Sequence, residues 1–578
     1  MTRHSNSISY VSGTGDTPLK GQTIGDCFDA TVARFAHGDA LISRHQGLRY
    51  TWQELRVAVD QAARAMLAIG VTKGDRVGIW APNCAEWTIT QFATAKIGAI
   101  LVNINPSYRT HELEYALKQS GASTLVLQGM FKTSDYVATL AELAPELHEE
   151  PAPEPHKEPA PAQRDGGPPS LKSARLPDLK RVICLDADRT LPGMLSWPSM
   201  LAHADEVSAE YLADVQATLQ FDDPINIQYT SGTTGAPKGA TLSHHNILNN
   251  GFFVARTIAL TDQDRMVIPV PLYHCFGMVM GNLGCMTHGA TMIYPGDGFD
   301  PEQTLTAVSE EKATTLYGVP TMFIAELEHP AFEDFDLSHL RTGIMAGSIC
   351  PIEVMRKVID KMNMQDVTIC YGMTETSPVS LQTETNAPLE KRVTTVGTIH
   401  PHLEVKLVSP DTGAVVSRGE TGELCTRGYS VMLGYWENAE ATAKAIDAAG
   451  WMHTGDLATM DDEGYVAIVG RIKDMIIRGG ENIYPREVED FLYTHPAVSD
   501  VQVIGVPDEK YGEEVMAWVK LTEGQALTED ELMAFCKGKI AHYKVPRYVK
   551  FVDQFPMTVT GKIQKFKMRE EATHELGL

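Results

Sequence analysis

The nine cysteines of this 578-residue chain never fall at C-x-x-C spacing. Cys27, Cys84, Cys184, Cys275, Cys285, Cys350, Cys370, Cys425 and Cys536 are scattered and odd in number. That pattern excludes a disulfide framework and predicts reduced thiols, mostly buried. His244 with His245, and His274 with Cys275, lack a second ligand pair at a useful distance, so zinc is not expected. Basic residues are also scarce: 49 Lys and Arg face 74 Asp and Glu, giving a formal charge of −25. A nucleic-acid partner needs a basic face, so that class is excluded. Long apolar runs are missing too. The run 93–104 is broken by Lys96 and is too short to span a bilayer. Residues 1–20 contain no apolar signal core. The expectation is a cytoplasmic protein with no transmembrane segment.

What is present is length. A chain of 578 residues outgrows a single hydrophobic core, so several domains are expected. Thr51 and Glu54 have the spacing of a helix capping box. Leu55, Val59, Ala62, Ala63, Met66 and Leu67 then fall on one helical face. Short apolar strands are predicted at 77–80, 97–104, 125–127 and 181–185, alternating with helices as in parallel α/β layers. Residues 148–173 are rich in Pro, Glu and Ala and read as an exposed insertion with no core to contribute. Beyond residue 471, a helix at 488–492, a strand at 501–506 and a helix at 530–540 predict a small α+β unit.

Residues 229–239 read Tyr-Thr-Ser-Gly-Thr-Thr-Gly-Ala-Pro-Lys-Gly. Glycines let the backbone approach a ligand, and consecutive backbone N–H groups form an anion nest. Thr230, Ser231, Gly232, Thr233, Thr234 and Gly235 with Lys238 predict a polyphosphate site. Lys238 is followed by Gly239, so this is not the P-loop pattern. Further candidates are Gly347 and Ser348 after a strand at 342–345, and Tyr371-Gly372-Met373-Thr374-Glu375-Thr376. They continue with Trp451-Met452-His453-Thr454-Gly455-Asp456, Gly470-Arg471-Ile472-Lys473-Asp474 and Thr560-Gly561-Lys562-Ile563.

In order and spacing these motifs resemble those of the adenylate-forming (AMP-binding) enzymes: acyl-CoA synthetases, peptide-synthetase adenylation domains and luciferases. The resemblance implies an α/β fold with a large N-terminal domain of stacked α/β subdomains and a small β-barrel-like subdomain. A small mobile C-terminal α+β domain completes it. The implied boundaries are 25–471 and 472–578. It also implies roles: Tyr371 against adenine with Gly372, Thr374 on the α-phosphate, Thr230 and Glu375 on Mg²⁺, and Asp456 and Arg471 on ribose. Lys562 would bridge the carboxylate and the α-phosphate, Lys473 would be the hinge, and Arg478, Gly479 and Gly480 would face coenzyme A. His274 would lie near the reacting carboxylate. ATP, coenzyme A and a small carboxylic acid are the implied substrates.

Phe252, Phe253, Val319 and Met322 suggest an apolar acyl pocket. The wording around Lys238 and His274 resembles medium-chain fatty-acyl-CoA synthetases. Long-chain, branched, aryl and thioether-bearing acids stay open, as does a homodimer. Two other classes compete: a phosphotransferase, which would release ADP, and a catalytically dead nucleotide-binding regulator.

Overall fold

Four short apolar segments that alternate with helices, together with the strand leading into the phosphate motif, assemble into one sheet. The computed structural model describes residues 8–149, 170–230, 237–348, 350–479, 481–557 and 563–578. Its eight-stranded sheet runs in the order Leu195–Ser196, Arg181–Cys184, Thr124–Leu127, Arg76–Trp80, Ile100–Asn103, Pro224–Thr230, Lys238–Ser243, Gly434–Tyr435. The first six strands are parallel and the last two pairings antiparallel. Crossover helices such as Ala85–Ile97 and Thr110–Ser120 cover this sheet, as parallel strands require. The capping box of Thr51 and Glu54 forms, and Leu55, Val59, Ala62, Ala63 and Met66 face the core.

The apolar run 93–104 is not one strand. Its first part ends the helix Ala85–Ile97, and Gly98 caps that helix in the left-handed region. Only Ile100–Asn103 is strand. A continuous apolar run cannot separate a buried helix end from a buried strand; the glycine between them does.

A second sheet has nine strands. Its centre is parallel, through Asp366–Gly372, Thr342–Met345, Thr315–Gly318, Arg265–Val267, Thr291–Tyr294 and Asp39–Ser43. The subdomain expected to be barrel-like is an open five-stranded antiparallel sheet: Tyr10–Ser12, Leu403–Val408, Gly422–Gly428, Met452–Met460, Val466–Arg471. Among the described residues its two edge strands do not meet, so no barrel closes. The C-terminal unit has its own sheet, built on the long hairpin Val498–Asp508 with Gly512–Leu521, and its own apolar cluster. Its helix Glu529–Cys536 is shorter than predicted and stops before Gly538, whose φ is +76°.

All nine cysteines are buried. Among the described residues no helix is long and apolar enough to cross a membrane.

Residues 150–169 of the insertion lie outside the described residues. Its C-terminal end corrects the reading of 148–173 as a segment with nothing to bury. Leu171 is only 7% exposed and packs with Leu140, Leu143, Leu147, Leu176 and Leu179. Its N–H donates to Lys180 O at 2.8 Å, and Ser173 Oγ accepts from Leu176 N–H. One leucine in a polar tract shows no periodicity, so its burial was not legible. Replacing Leu171 with alanine should cost about 2–3 kcal/mol, the usual range for a buried leucine. Deleting 148–173 should lower the melting temperature by several degrees. Deleting only 150–169, joined by a short flexible link, should leave it close to that of the full chain; thermal denaturation of the three variants checks this.

Candidate active site

The phosphate motif straddles a hairpin of the eight-stranded sheet. Pro224–Thr230 and Lys238–Ser243 pair antiparallel with Thr230 opposite Lys238. These two residues are therefore the feet of the loop. Ser231, Gly232, Thr233, Thr234 and Gly235 lie outside the described residues, as do Gly480 and Lys562.

Tyr371 and Gly372 end a strand of the second sheet, and Thr374–Thr376 makes one 3₁₀ turn. Gly372 is dictated by close approach: a Cβ there would stand 1.7 Å from Pro378 O. The turn buries Thr374 and Glu375. Thr230 Oγ1 donates to Glu375 Oε1 at 3.3 Å. The Tyr435 hydroxyl donates to the same oxygen at 2.8 Å. Both hydrogen bonds fall on Oε1, so Oε2 has no donor among the described residues. A hydroxyl and a half-free carboxylate beside a phosphate loop fit Mg²⁺, which takes few carboxylates and completes its shell with phosphate oxygens and water.

Asp456 sits in the strand Met452–Met460 of the five-stranded sheet, directly opposite Arg471. Its Oδ2 accepts the Tyr371 hydroxyl at 2.6 Å, and its Oδ1 is 2.9 Å from Arg471 Nε. Desolvation, then the Asp456 charge, holds the Tyr371 phenol well above its ordinary pKa, so it stays a donor. Asp456 likewise raises the Arg471 guanidinium. Each carboxylate oxygen has two acceptor sites. One on each stays available, enough for a pair of vicinal hydroxyls.

Two residues behind Asp456 escaped the sequence reading. Glu423 Oε1 accepts the Gly455 N–H at 3.1 Å, and its Oε2 lies 2.9 Å from His453 Nδ1. Cys425 Sγ is 3.5 Å from the same nitrogen. Burial, then the Glu423 charge, pushes the Cys425 thiol up to about 12. This trio gathers metal-ligating atoms, yet its hydrogen bonds serve to fix the backbone turn that presents Asp456. Strand register alone brings Glu423 beside His453, across 30 residues of sequence.

His274 opens the segment leading into the π-helix Phe276–Leu283. Its Nδ1 accepts the Phe276 N–H at 3.2 Å. Cys275 Sγ reaches Gln228 Oε1 at 3.1 Å and Thr374 Oγ1 at 3.6 Å, which ties this segment to both sheets. Val319 and Met322 share a buried cluster with Phe276, Tyr317 and Ala346. The Phe276 and Tyr317 rings lie 5.4 Å apart. Gly347 has φ +93°, and a Cβ on it would stand 3.1 Å from Val319 Cγ1, so its backbone and that of Ser348 run past the same wall.

Phe252 and Phe253 are not part of that wall. Phe252 stacks on His288, with the Lys20 ammonium 4.4 Å away. Phe253 is buried against His402 and Tyr429, under the five-stranded sheet. Val254 of the same helix belongs instead to the buried cluster that contains Val319 and Met322. Successive helical residues point about 100° apart, and the sequence did not say which one faced the site. Arg478 is a second displacement. It makes a bidentate pair with buried Glu514 at 2.7 and 2.8 Å and lies 4.2 Å over Tyr511. Gly479 donates its N–H to Tyr511 O. Arg478 thus clamps its own sheet here. Lys473 occupies the one-turn segment Ile472–Asp474 between Val466–Arg471, the last strand of the five-stranded sheet, and Ile476–Arg478 of the C-terminal sheet.

Comparison with known proteins agrees with this geometry. The model of the AMP-binding enzyme family matches residues 28–436, and that of the AMP-binding enzyme C-terminal domain matches 487–562. A Bacillus subtilis (strain 168) protein, YngI, named as a candidate acyl-CoA synthetase, is 51% identical over 96% of this chain and 98% of its own. The mitochondrial medium-chain acyl-CoA ligase ACSF2 of Bos taurus is 46% identical over 99% of this chain and 91% of its own. The crystal structure of the anthranilate CoA ligase AuaEII with anthranoyl-AMP superposes with a TM-score of 0.81 at 26% identity, covering 97% and 99% of the two chains. On the extent of these matches, the chain belongs to the AMP-binding enzyme family.

Proposed function

We propose that this protein is an AMP-forming acid–CoA ligase for medium-chain fatty acids. The observation that carries the reading is the meeting of the Thr230/Lys238 hairpin, Glu375 and the Asp456–Arg471 pair at the ends of three sheets. Its relatives named as an acyl-CoA synthetase and a medium-chain acyl-CoA ligase support the acid and the thiol. In the first step a carboxylate oxygen of the acid attacks the α-phosphorus of ATP, the bond to the β-phosphate breaks and pyrophosphate leaves. In the second, the coenzyme A thiol gives up its proton and attacks the adenylate carbonyl, releasing AMP.

In this reading Asp456 and Arg471 hold the ribose, and Tyr371 and Gly347 border the base. The loop feet, Thr230 and Lys238, meet the phosphates. Mg²⁺, held by Glu375 and Thr230, would supply Lewis acidity there. Lys562 would place a cation where negative charge gathers on the α-phosphate. His274 would border the reacting carboxylate. Residues 25–471 would form the adenylating domain and 472–578 a mobile second domain turning about Lys473. Arg478, Gly479 and Gly480 would face the thiol only once that domain turns. The location would be cytoplasmic.

Release of AMP and pyrophosphate from ATP over a panel of free acids, with and without coenzyme A, tests the reaction; ADP as product would refute it. Lys562→Ala should slow adenylation by about 10²-fold or more, as for a lost transition-state contact. Thioester formation from presynthesised acyl-adenylate should survive far better, and equal loss in both half-reactions would contradict the role.

Lys473→Pro should have the reverse effect. Proline fixes φ near −65° and restricts the residue before it. Adenylate should still accumulate while transfer to coenzyme A fails, read by separating the two products.

Chain-length selectivity should follow Val319 and Met322. Each methylene in a fitted apolar pocket is worth about 0.8 kcal/mol, so kcat/KM should climb about fourfold per carbon to an optimum near C6–C12. Met322→Ala should move that optimum to longer acids. Phe253→Ala should instead lower the melting temperature and leave the chain-length profile unchanged.

A further inference from the structure

Tyr435 belongs to none of the motifs read from the sequence, yet it touches two charged groups of the proposed site. It lies on the two-residue strand Gly434–Tyr435, the last strand of the eight-stranded sheet, opposite Ala240. Its backbone is held tightly for so short a strand. Leu433 N–H donates to Thr241 O at 2.9 Å and Trp436 N–H to Gly239 O at 2.7 Å. Tyr435 N–H donates to Thr442 Oγ1 at 2.9 Å. The side chain therefore leaves a fixed backbone next to the foot of the phosphate loop.

From there its two ends do different work. The hydroxyl donates to Glu375 Oε1 at 2.8 Å. The ring lies 5.1 Å from the Lys238 ammonium, within cation–π range. The same segment also holds the Glu375 backbone, since Met432 N–H donates to Glu375 O at 2.9 Å. Among the described residues Lys238 makes no ion pair. A lysine and a glutamate at one site would otherwise neutralise each other, and each would then have to be prised away by an incoming ligand.

The geometry points to Tyr435 as a positioning residue that keeps Glu375 turned toward the metal and Lys238 turned toward the nucleotide phosphates, and that prevents the two from pairing. The inference rests on the proposed nucleotide and metal site. It predicts that the hydroxyl and the ring are separable. Losing the hydroxyl releases Glu375 alone. Losing the ring as well releases Lys238. Outer hydrogen-bond partners of metal ligands are typically worth 10- to 100-fold in metal affinity, and an exposed cation–π contact a few-fold in equilibrium.

The test is calorimetric, on the full chain, with α,β-methylene-ATP as a nucleotide that cannot be cleaved at the reacting bond. Binding is measured without divalent ion and then as a Mg²⁺ titration, with Mn²⁺ as a spin probe for the same site. Tyr435→Phe should weaken metal binding to the nucleotide complex by about 10-fold or more, with metal-free nucleotide affinity unchanged. Tyr435→Leu should show that loss and also bind metal-free nucleotide about two- to fivefold more weakly. Tyr435→Phe with wild-type metal affinity overturns the inference. So does Tyr435→Phe that loses as much metal-free affinity as Tyr435→Leu. If Tyr435→Leu does not fold, Tyr435→Phe still decides the hydroxyl's role. Wild-type protein that binds no nucleotide overturns both this and the proposed function, whereas nucleotide binding with Tyr435→Phe indistinguishable from wild type overturns this alone.

Discussion

The carboxylate of Glu375 is the knot that holds the candidate site together. It belongs to the nine-stranded sheet's segment, but its hydrogen bonds go to Thr230 and Tyr435 of the eight-stranded sheet. A buried carboxylate without such donors is costly to keep charged and tends to hold a proton instead. With them, it fixes where the end of one sheet stands relative to the other. Asp456 does the same between the nine- and five-stranded sheets through Tyr371, while Arg471 braces it from its own sheet. The groups that would meet nucleotide are thus also the groups that join the layers, and ligand chemistry and architecture constrain each other at these two acids.

This double use explains why so much of the site was legible. A motif such as 371–376 keeps its hydroxyl, glycine and acid at fixed offsets because each has a steric or hydrogen-bonding reason to be there. Gly372 admits no side chain against Pro378 O; Glu375 must reach the neighbouring sheet. Spacing of that kind survives in one dimension. The periodic signals were equally direct where an element had one wet face, as in the helix Trp52–Ala68.

What stayed hidden depended on register and on azimuth. Tyr435, Glu423 and Cys425 reach their partners across strand pairings that no local pattern encodes. The turn from Phe253 to Val254 is a rotation of one residue on a helix buried on most sides, where hydrophobicity no longer marks a direction. Continuous burial likewise blurred helix and strand in 93–104. Arg478 illustrates a third limit. Its charge was visible, but its partner Glu514 lies 36 residues away on the adjoining strand, and a residue's task cannot be read without knowing what it is already holding.

The burial of every cysteine has a consequence for how this molecule can be watched. Five of the thiols sit in the largest apolar cluster, while Cys350, Cys184, Cys536 and Cys425 each occupy a different one. A thiol reacts only as thiolate and only when reached, so modification must wait for the surrounding cluster to open. The chain therefore carries a set of native clocks, one or more in each of five packed clusters. Rates of alkylation, resolved by peptide, would report which layer loosens first as nucleotide, acid or denaturant is added, without a single engineered label.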